Sequence, residues 1–218
     1  MHTSASNNKI CALVAAAHFN SNHFLQQNFH SIIAVDGGYS HLSKIEVIPN
    51  LAIGDFDSLG FVPDSVKAKI YPPEKDFSDL ELALNWAHKE GLEYIYVYGA
   101  LGGRLDHTMC ALQQIVKYTN KDMRVIAIGE DQSVCAVVSD GMIEFSANSS
   151  GVISVFSATN QSTSVSIRGL KYEIQDYTLL NTEPLGLSNE FVGTKSQISV
   201  ENGDLLIFFP VSCIPIQP

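Results

Sequence analysis

Short runs of consecutive apolar residues, separated by stretches of helical spacing, fill the chain up to residue 131. The runs are "ICALVAAA" (10–17), "SIIAVDGG" (31–38), "LAIGD" (51–55), "YIYVYGA" (94–100) and "RVIAIGE" (124–130). Nearly continuous apolar runs of this length are the pattern of strands buried on both faces of a parallel sheet. The clearest helix spans 78–89, where Leu80, Ala83, Leu84 and Ala87 recur at helical spacing. Ser78 and Glu81 form a capping box at its start, and Gly91 is placed to end it. A second helix, 105–119, carries Leu105, Leu112, Ile115, Val116 and Thr119 on one side. This alternation predicts a doubly wound, Rossmann-like α/β domain over residues 1–131, with a mostly parallel sheet.

From residue 132 the helical period disappears, and β-branched residues stand between turn signals. "VCAVVSDGMIEF" sets Asp140-Gly141 between two strand-like runs, and "SQISVENGDLLIFF" does the same with Asn202-Gly203. Both dipeptides predict tight hairpins. Residues 132–218 are therefore expected to form an all-β sandwich.

Charge narrows the partners. Thirteen basic against 23 acidic residues give a formal charge of −10, which argues against nucleic acid and against an anionic membrane surface. An anionic substrate then needs a cation as intermediary. Cys11, Cys110, Cys135 and Cys213 form no CxxC pair, so the spacing suggests neither a zinc site nor a disulfide framework. The early run "ICALVAAA" reads as a signal-peptide core or as a buried first strand, and the strand fits the alternation that follows. No stretch reaches the ~20 apolar residues of a membrane span, and a cytoplasmic protein is expected.

Four polar clusters follow the strand-like runs, where open α/β sheets place their ligands. They are "VDGGYS" (35–40), "IGDFDS" (53–58), "KDFSD" (75–79) and "GALGGRLDH" (99–107). Taken singly, Asp36 reads equally as a turn residue, Asp79 as an acid in a helix's first turn, and Asp106-His107 as helix-start residues. Asp55 and Asp57 are different. On an extended backbone residues i and i+2 point the same way, and two carboxylates ~4 Å apart repel by about 4 kcal/mol at an effective dielectric of 20. A hard divalent cation resolves that conflict, and Mg²⁺ suits one or two carboxylates completed by water and phosphate oxygens. Lys75 and Arg104 to neutralise phosphate, with glycine turns that expose backbone N–H groups, complete the parts of a nucleotide-phosphate site. No Walker motif and no GxGxxG is present.

The order and spacing of "DGG", "IGDFDS", "KDFSDLELAL", "GALGGRLDH" and "GLKYEI...GLSNEF" resembles the thiamine pyrophosphokinase family over roughly residues 31 to 209. The resemblance implies transfer of pyrophosphate from Mg-ATP to thiamine, an N-terminal α/β catalytic domain, and a C-terminal sandwich that binds thiamine and dimerises. It also implies a homodimer with thiamine held between subunits. Carried over residue by residue, it gives Asp55, Asp57 and Asp79 as metal ligands. These three, with Arg104 and Asp106, form the catalytic set, and Ser188 and Asn189 are the thiamine contacts. The expected ATP-contacting set is Asp36, Gly37, Lys75, Gly102, Gly103, Arg104 and His107. Ser78 stands where the family usually has threonine, and Asn50 where aspartate is common. Alternative readings are a phosphohydrolase with Asp55 as nucleophile, a pyrophosphokinase for another alcohol such as a hydroxymethyl pterin, and a non-catalytic nucleotide-binding module.

Overall fold

The computed structural model describes residues 9–72, 74 and 76–216. The first half alternates strand and helix: β1 (Ile10–Val14), α1 (Ser21–Leu25), β2 (Ser31–Val35), α2 (Gly38–Lys44), β3 (Leu51–Gly54), β4 (Ala68–Ile70), α3 (Asp79–Lys89), β5 (Tyr94–Tyr98), α4 (Leu105–Thr119) and β6 (Arg124–Ile128). The second half is strands only: β7 (Gln132–Val137), β8 (Gly141–Phe145), β9 (Val152–Ser157), β10 (Gln161–Arg168), β11 (Ile174–Leu180), β12 (Asn189–Glu190), β13 (Ser196–Val200) and β14 (Leu205–Pro210).

A ten-stranded mixed sheet runs in the order β12-β9-β14-β7-β6-β5-β1-β2-β3-β4, and a four-stranded sheet in the order β11-β10-β13-β8. The pairs from β6 to β4 are parallel, and from β6–β7 onward the pairing is antiparallel. β1 is buried along nearly its whole length, between β2 and β5, as a continuous apolar run requires. One face of the parallel region packs with α3 and α4 around Leu13, Ile53, Leu84 and Ile115; the other gathers Phe24, Leu42, Phe56 and Tyr98. Further along, a third cluster fills the space between the two sheets with Phe145, Val155, Ile167, Ile198 and Phe209. The chain is thus an α/β region followed by a β-rich region, with the mixed sheet running through both. No helix among the described residues is long and apolar enough to cross a membrane.

Ser78 caps α3 as read, its Oγ accepting from Glu81 N at 3.2 Å, but the reciprocal half of the box is replaced: the Glu81 carboxylate turns to Gln114 and Lys117 of α4. Gly91 takes a positive φ of 71° just past α3. Two further expectations are corrected. The buried face of α4 is Ala111, Gln114, Ile115 and Tyr118, whereas Leu105 is 84% exposed. The face itself is rotated from the predicted one: Gln114 and Tyr118, which bond to Glu81 of α3, are buried, while Leu112, Val116 and Thr119 are half-buried at its edge. Neither predicted hairpin forms. Asp140-Gly141 and Asn202-Gly203 are turns, but β7 and β14 belong to the large sheet while β8 and β13 pair with each other in the small one. The two turns cross between sheets side by side, joined by Asp140 N donating to Glu201 O at 3.0 Å. The strands separate because Val137, Phe145, Ile198 and Leu205 bury their side chains in the space between the sheets.

Candidate functional site

Parallel neighbours end at the same height, so the residues that follow β2 and β3 meet at one rim of the sheet. Asp36 N donates to Ile53 O at 2.8 Å, tying the turn after β2 to the end of β3. Gly54 permits the approach: a Cβ there would stand 3.0 Å from Asp36 Cα. Gly38, at the start of α2, is constrained more tightly still, since a Cβ would lie 1.8 Å from Val14 O. The third wall is the start of α3, where Asp79 follows the Ser78 cap.

Asp36, Asp55 and Asp79 each bring a carboxylate oxygen to within 4.8 Å of the others. Asp36 Oδ1 is buried with no hydrogen-bond partner, a state that costs free energy for a polar atom and more for a charged one. Asp57 stands outside the cluster: it is exposed, and its Oδ1 accepts from Ser58 Oγ at 3.2 Å. The extended backbone assumed for Asp55-Phe56-Asp57 does not occur, because Phe56 adopts φ 60° and buries its ring to 2% exposure. Asp55 Oδ1 instead accepts from Asp57 N at 3.3 Å, closing a small turn. The third carboxylate therefore comes from the neighbouring strand, and "DGG" directly after an apolar run was the signal for it. Lys75 lies outside the described residues.

Gly102 and Gly103 take φ of 80° and 72° and lead into α4, where Arg104 is the N-cap residue. The Arg104 guanidinium forks onto Asp106, Nε to Oδ1 at 3.1 Å and Nη2 to Oδ2 at 2.6 Å. That guanidinium, with the His107 N–H also donating, holds the Asp106 carboxyl down at about 2. Both side chains are largely exposed. The loop after β1 lies between this turn and the carboxylates: a Cβ on Gly37 would meet Ala16 Cβ at 3.0 Å, and one on Gly103 would lie 3.9 Å from Ala17 Cβ. The loop is fixed by Ala17 N donating to Gly99 O at 2.8 Å. His41 adds a second anchor, with Nε2 3.1 Å from Ala16 O and 2.9 Å from Ala17 O. A cleft of about 1020 Å³ opens beside the loop, lined by His18, Phe19, His41 and Gly103 among others. It sits beyond the ends of the adjacent strands β1 and β5, whose onward connections lead to β2 on one side and β6 on the other, the switch point at which open α/β sheets bind ligands.

Ser188 and Asn189 stand far from this rim. Asn189 is 4% exposed; its Oδ1 accepts from Tyr172 N at 3.0 Å and its Nδ2 donates to Tyr172 O at 2.7 Å, so the side chain fastens β12 to a neighbouring loop. Ser188 is exposed, with φ 58°. In the strand order β12 and β3 are at positions one and nine, which at ~4.8 Å per step separates them by roughly 38 Å along the sheet.

Converging carboxylates beside a glycine turn with an arginine, at the carboxyl ends of parallel strands, define an α/β protein with an acidic, oxygen-lined site whose donor set suits a hard cation. Comparison with known proteins narrows the class. Residues 23–127 match the family model described as thiamin pyrophosphokinase, catalytic domain, and residues 142–206 the one described as thiamin pyrophosphokinase, vitamin B1 binding domain. The chain is similar to thiamin pyrophosphokinase 1 of Caenorhabditis elegans, 30% identical over 191 residues that cover 81% of this chain and 76% of the relative. It is 26% identical over 182 residues to the thiamine pyrophosphokinase of Bacillus subtilis, covering 80% and 85%. The crystal structure of the Bacillus subtilis thiamine pyrophosphokinase has the same fold, with a TM-score of 0.81 and coverage of 93% and 99%. This chain belongs to the thiamin pyrophosphokinase family.

Proposed function

We infer that the chain transfers the pyrophosphoryl group of ATP to the hydroxyl of thiamine, giving thiamine diphosphate and AMP. The observation that carries this reading is the convergence of Asp36, Asp55 and Asp79 across the Ala16–Ala17 loop from Gly103, in a chain of this family. The donor set fits a hard cation: it is all oxygen, and it contains a buried carboxylate atom without a partner. Mg²⁺ is the natural choice for so few carboxylates beside a phosphate chain. We assign Asp36, Asp55 and Asp79 as its ligands. When bound, the ion neutralises charge on the phosphate oxygens.

The remaining work falls to this chain's own groups. The positive-φ turn at Gly102 and Gly103 lets backbone N–H groups approach a phosphate, as the sequence expectation for Gly37 also requires. Arg104 exchanges its fork from Asp106 to phosphate oxygens and stabilises the charge that develops in transfer. Asp106, held at about 2, is a weak proton acceptor. In a loose phosphoryl-transfer transition state the acceptor's proton needs little help.

We also propose that the protein works as a homodimer with composite sites. Thiamine held near Ser188 lies too far along the sheet for the same chain's carboxylates to reach, so the metal cluster that serves it belongs to the second subunit. In this reading residues 1–131 form a Rossmann-like catalytic domain and 132–218 a sandwich that binds thiamine. All four cysteines are free thiols, in keeping with a cytoplasmic location. The test is incubation with Mg-ATP and a panel of primary alcohols, with products identified by mass and AMP measured with and without thiamine. Thiamine-dependent AMP and thiamine diphosphate are expected. Inorganic phosphate release without thiamine overturns the reading in favour of a phosphohydrolase, and a pyrophosphorylated pterin alone reassigns the acceptor.

A further inference from the structure

The two helices that open onto the site rest on different parts of the sheet. α3 packs on β1, β2 and β3, whereas α4 packs on β6, β7 and β14. Asp79 is the first residue of α3 and Arg104 caps α4, so the spacing between the carboxylate cluster and the arginine turn depends on how these two helices are held together. A single residue in the first turn of α3 makes most of the polar connections. Glu81 Oε2 accepts from Gln114 Nε2 at 3.2 Å. Its Oε1 is ion-paired with Lys117 Nζ. Its backbone carbonyl accepts from Tyr118 Oη at 3.2 Å, and its N–H donates to the Ser78 cap at 3.2 Å. Cys110 Sγ lies 3.9 Å from the same Ser78 hydroxyl. One face of α4, from Cys110 to Tyr118, is thereby fastened to the turn that carries Asp79.

We propose that Glu81 is a positioning residue, fixing the distance between the metal-binding carboxylates and the Arg104 turn so that one nucleotide's phosphates engage both at once. The proposal rests on the functional reading above. The Glu81 side chain is only 12% exposed while Lys117 is 45% exposed, so the pair is partly withdrawn from solvent and less screened than a surface bridge. Both carboxylate oxygens are used, which fixes the rotation of the first turn as well as its distance. Reacting groups misplaced by about 1 Å can lose roughly 10²-fold in rate, so a loosened clamp is felt in turnover before it is felt in folding.

The experiment breaks the clamp from its far side. Lys117 is on α4, away from every residue placed in the site, and Lys117→Met removes the ion pair while leaving Glu81 in place. Lys117→Arg restores the charge, and Glu81→Gln removes it from the other partner. For each variant, thermal stability, kcat, the KM for thiamine, and the affinity for the Mg²⁺ complex of α,β-methylene ATP by calorimetry are measured. Lys117→Met and Glu81→Gln are expected to lose about tenfold in kcat and in affinity for the Mg²⁺ analogue complex, with the KM for thiamine within twofold and Lys117→Arg close to the parent. Unchanged kcat and analogue affinity in both variants overturn the proposal. So does a loss of activity that merely tracks a loss of folded protein, with analogue affinity per folded molecule unchanged. If the parent chain binds the analogue but makes no thiamine diphosphate, the functional reading fails, while the affinity comparison still decides the clamp.

Discussion

In the carboxylate cluster Asp36 stands where the linear pattern puts Asp57, and the metal assignment proposed from that difference has measurable consequences. Replacing Asp36 or Asp55 by asparagine keeps the shape and removes a charge from the cluster, so turnover is expected to fall by about 10²-fold or more, as when one electrostatic stabiliser is lost. Asp57→Asn, outside the cluster, is expected to cost far less; steady-state rates across a Mg²⁺ titration distinguish the two outcomes. Arg104→Lys keeps the charge but loses the planar fork seen on Asp106, and is expected to remain clearly impaired. The pH dependence of that pair has a definite sign. Asp106 is depressed below its ordinary carboxylate value, to about 2, so the pair is fully formed above about pH 4 and is lost as pH falls through 2. A carboxyl NMR titration of Asp106 that turns near 4 removes the fork as its cause.

At the scale of elements, the site is made by ends: the ends of β2 and β3, and the starts of α3 and α4. Gly54→Ala forces a Cβ to 3.0 Å from backbone at Asp36, and because backbone cannot rotate away, the two turns must separate. A loss of Mg²⁺-dependent activity well beyond the change in stability is expected, read by comparing kcat with thermal midpoint. Ser78→Ala removes the oxygen that accepts from Glu81 N and is expected to cost about 1 kcal/mol of stability, measured by denaturant unfolding. The N-cap at Ser78, the strands and the two helices were legible locally, since each depends on periodicity and on neighbours within one turn. The pairing of β8 with β13 was not, because Asp140-Gly141 specifies a reversal of direction and says nothing about which strand lies alongside afterwards.

For the whole molecule, the separation of Ser188 from the carboxylates along one sheet is the feature with the largest consequence. If the site is shared between chains, inactive Asp55→Asn chains mixed with chains inactivated by Ser188→Tyr, at the exposed residue beside β12, place both lesions in one site of the mixed dimer and leave the other intact. Up to about half of the mixed dimer's activity is then expected to return by two-site symmetry, measured after subunit exchange is confirmed by mass. No return of activity in confirmed mixed dimers places thiamine within a single chain. The sequence alone determined the element types, the change from α/β to β-rich texture near residue 131, the polar clusters after the apolar runs, and the family to which they belong. These follow from local spacing and from residue order. Only the tertiary structure decided that Asp36 and not Asp57 completes the carboxylate cluster, that Asn189 is spent on the Tyr172 backbone, and that β7 and β14 extend the parallel sheet. Each of those outcomes depends on which strands lie side by side, and that is set by the burial of side chains far apart in the chain.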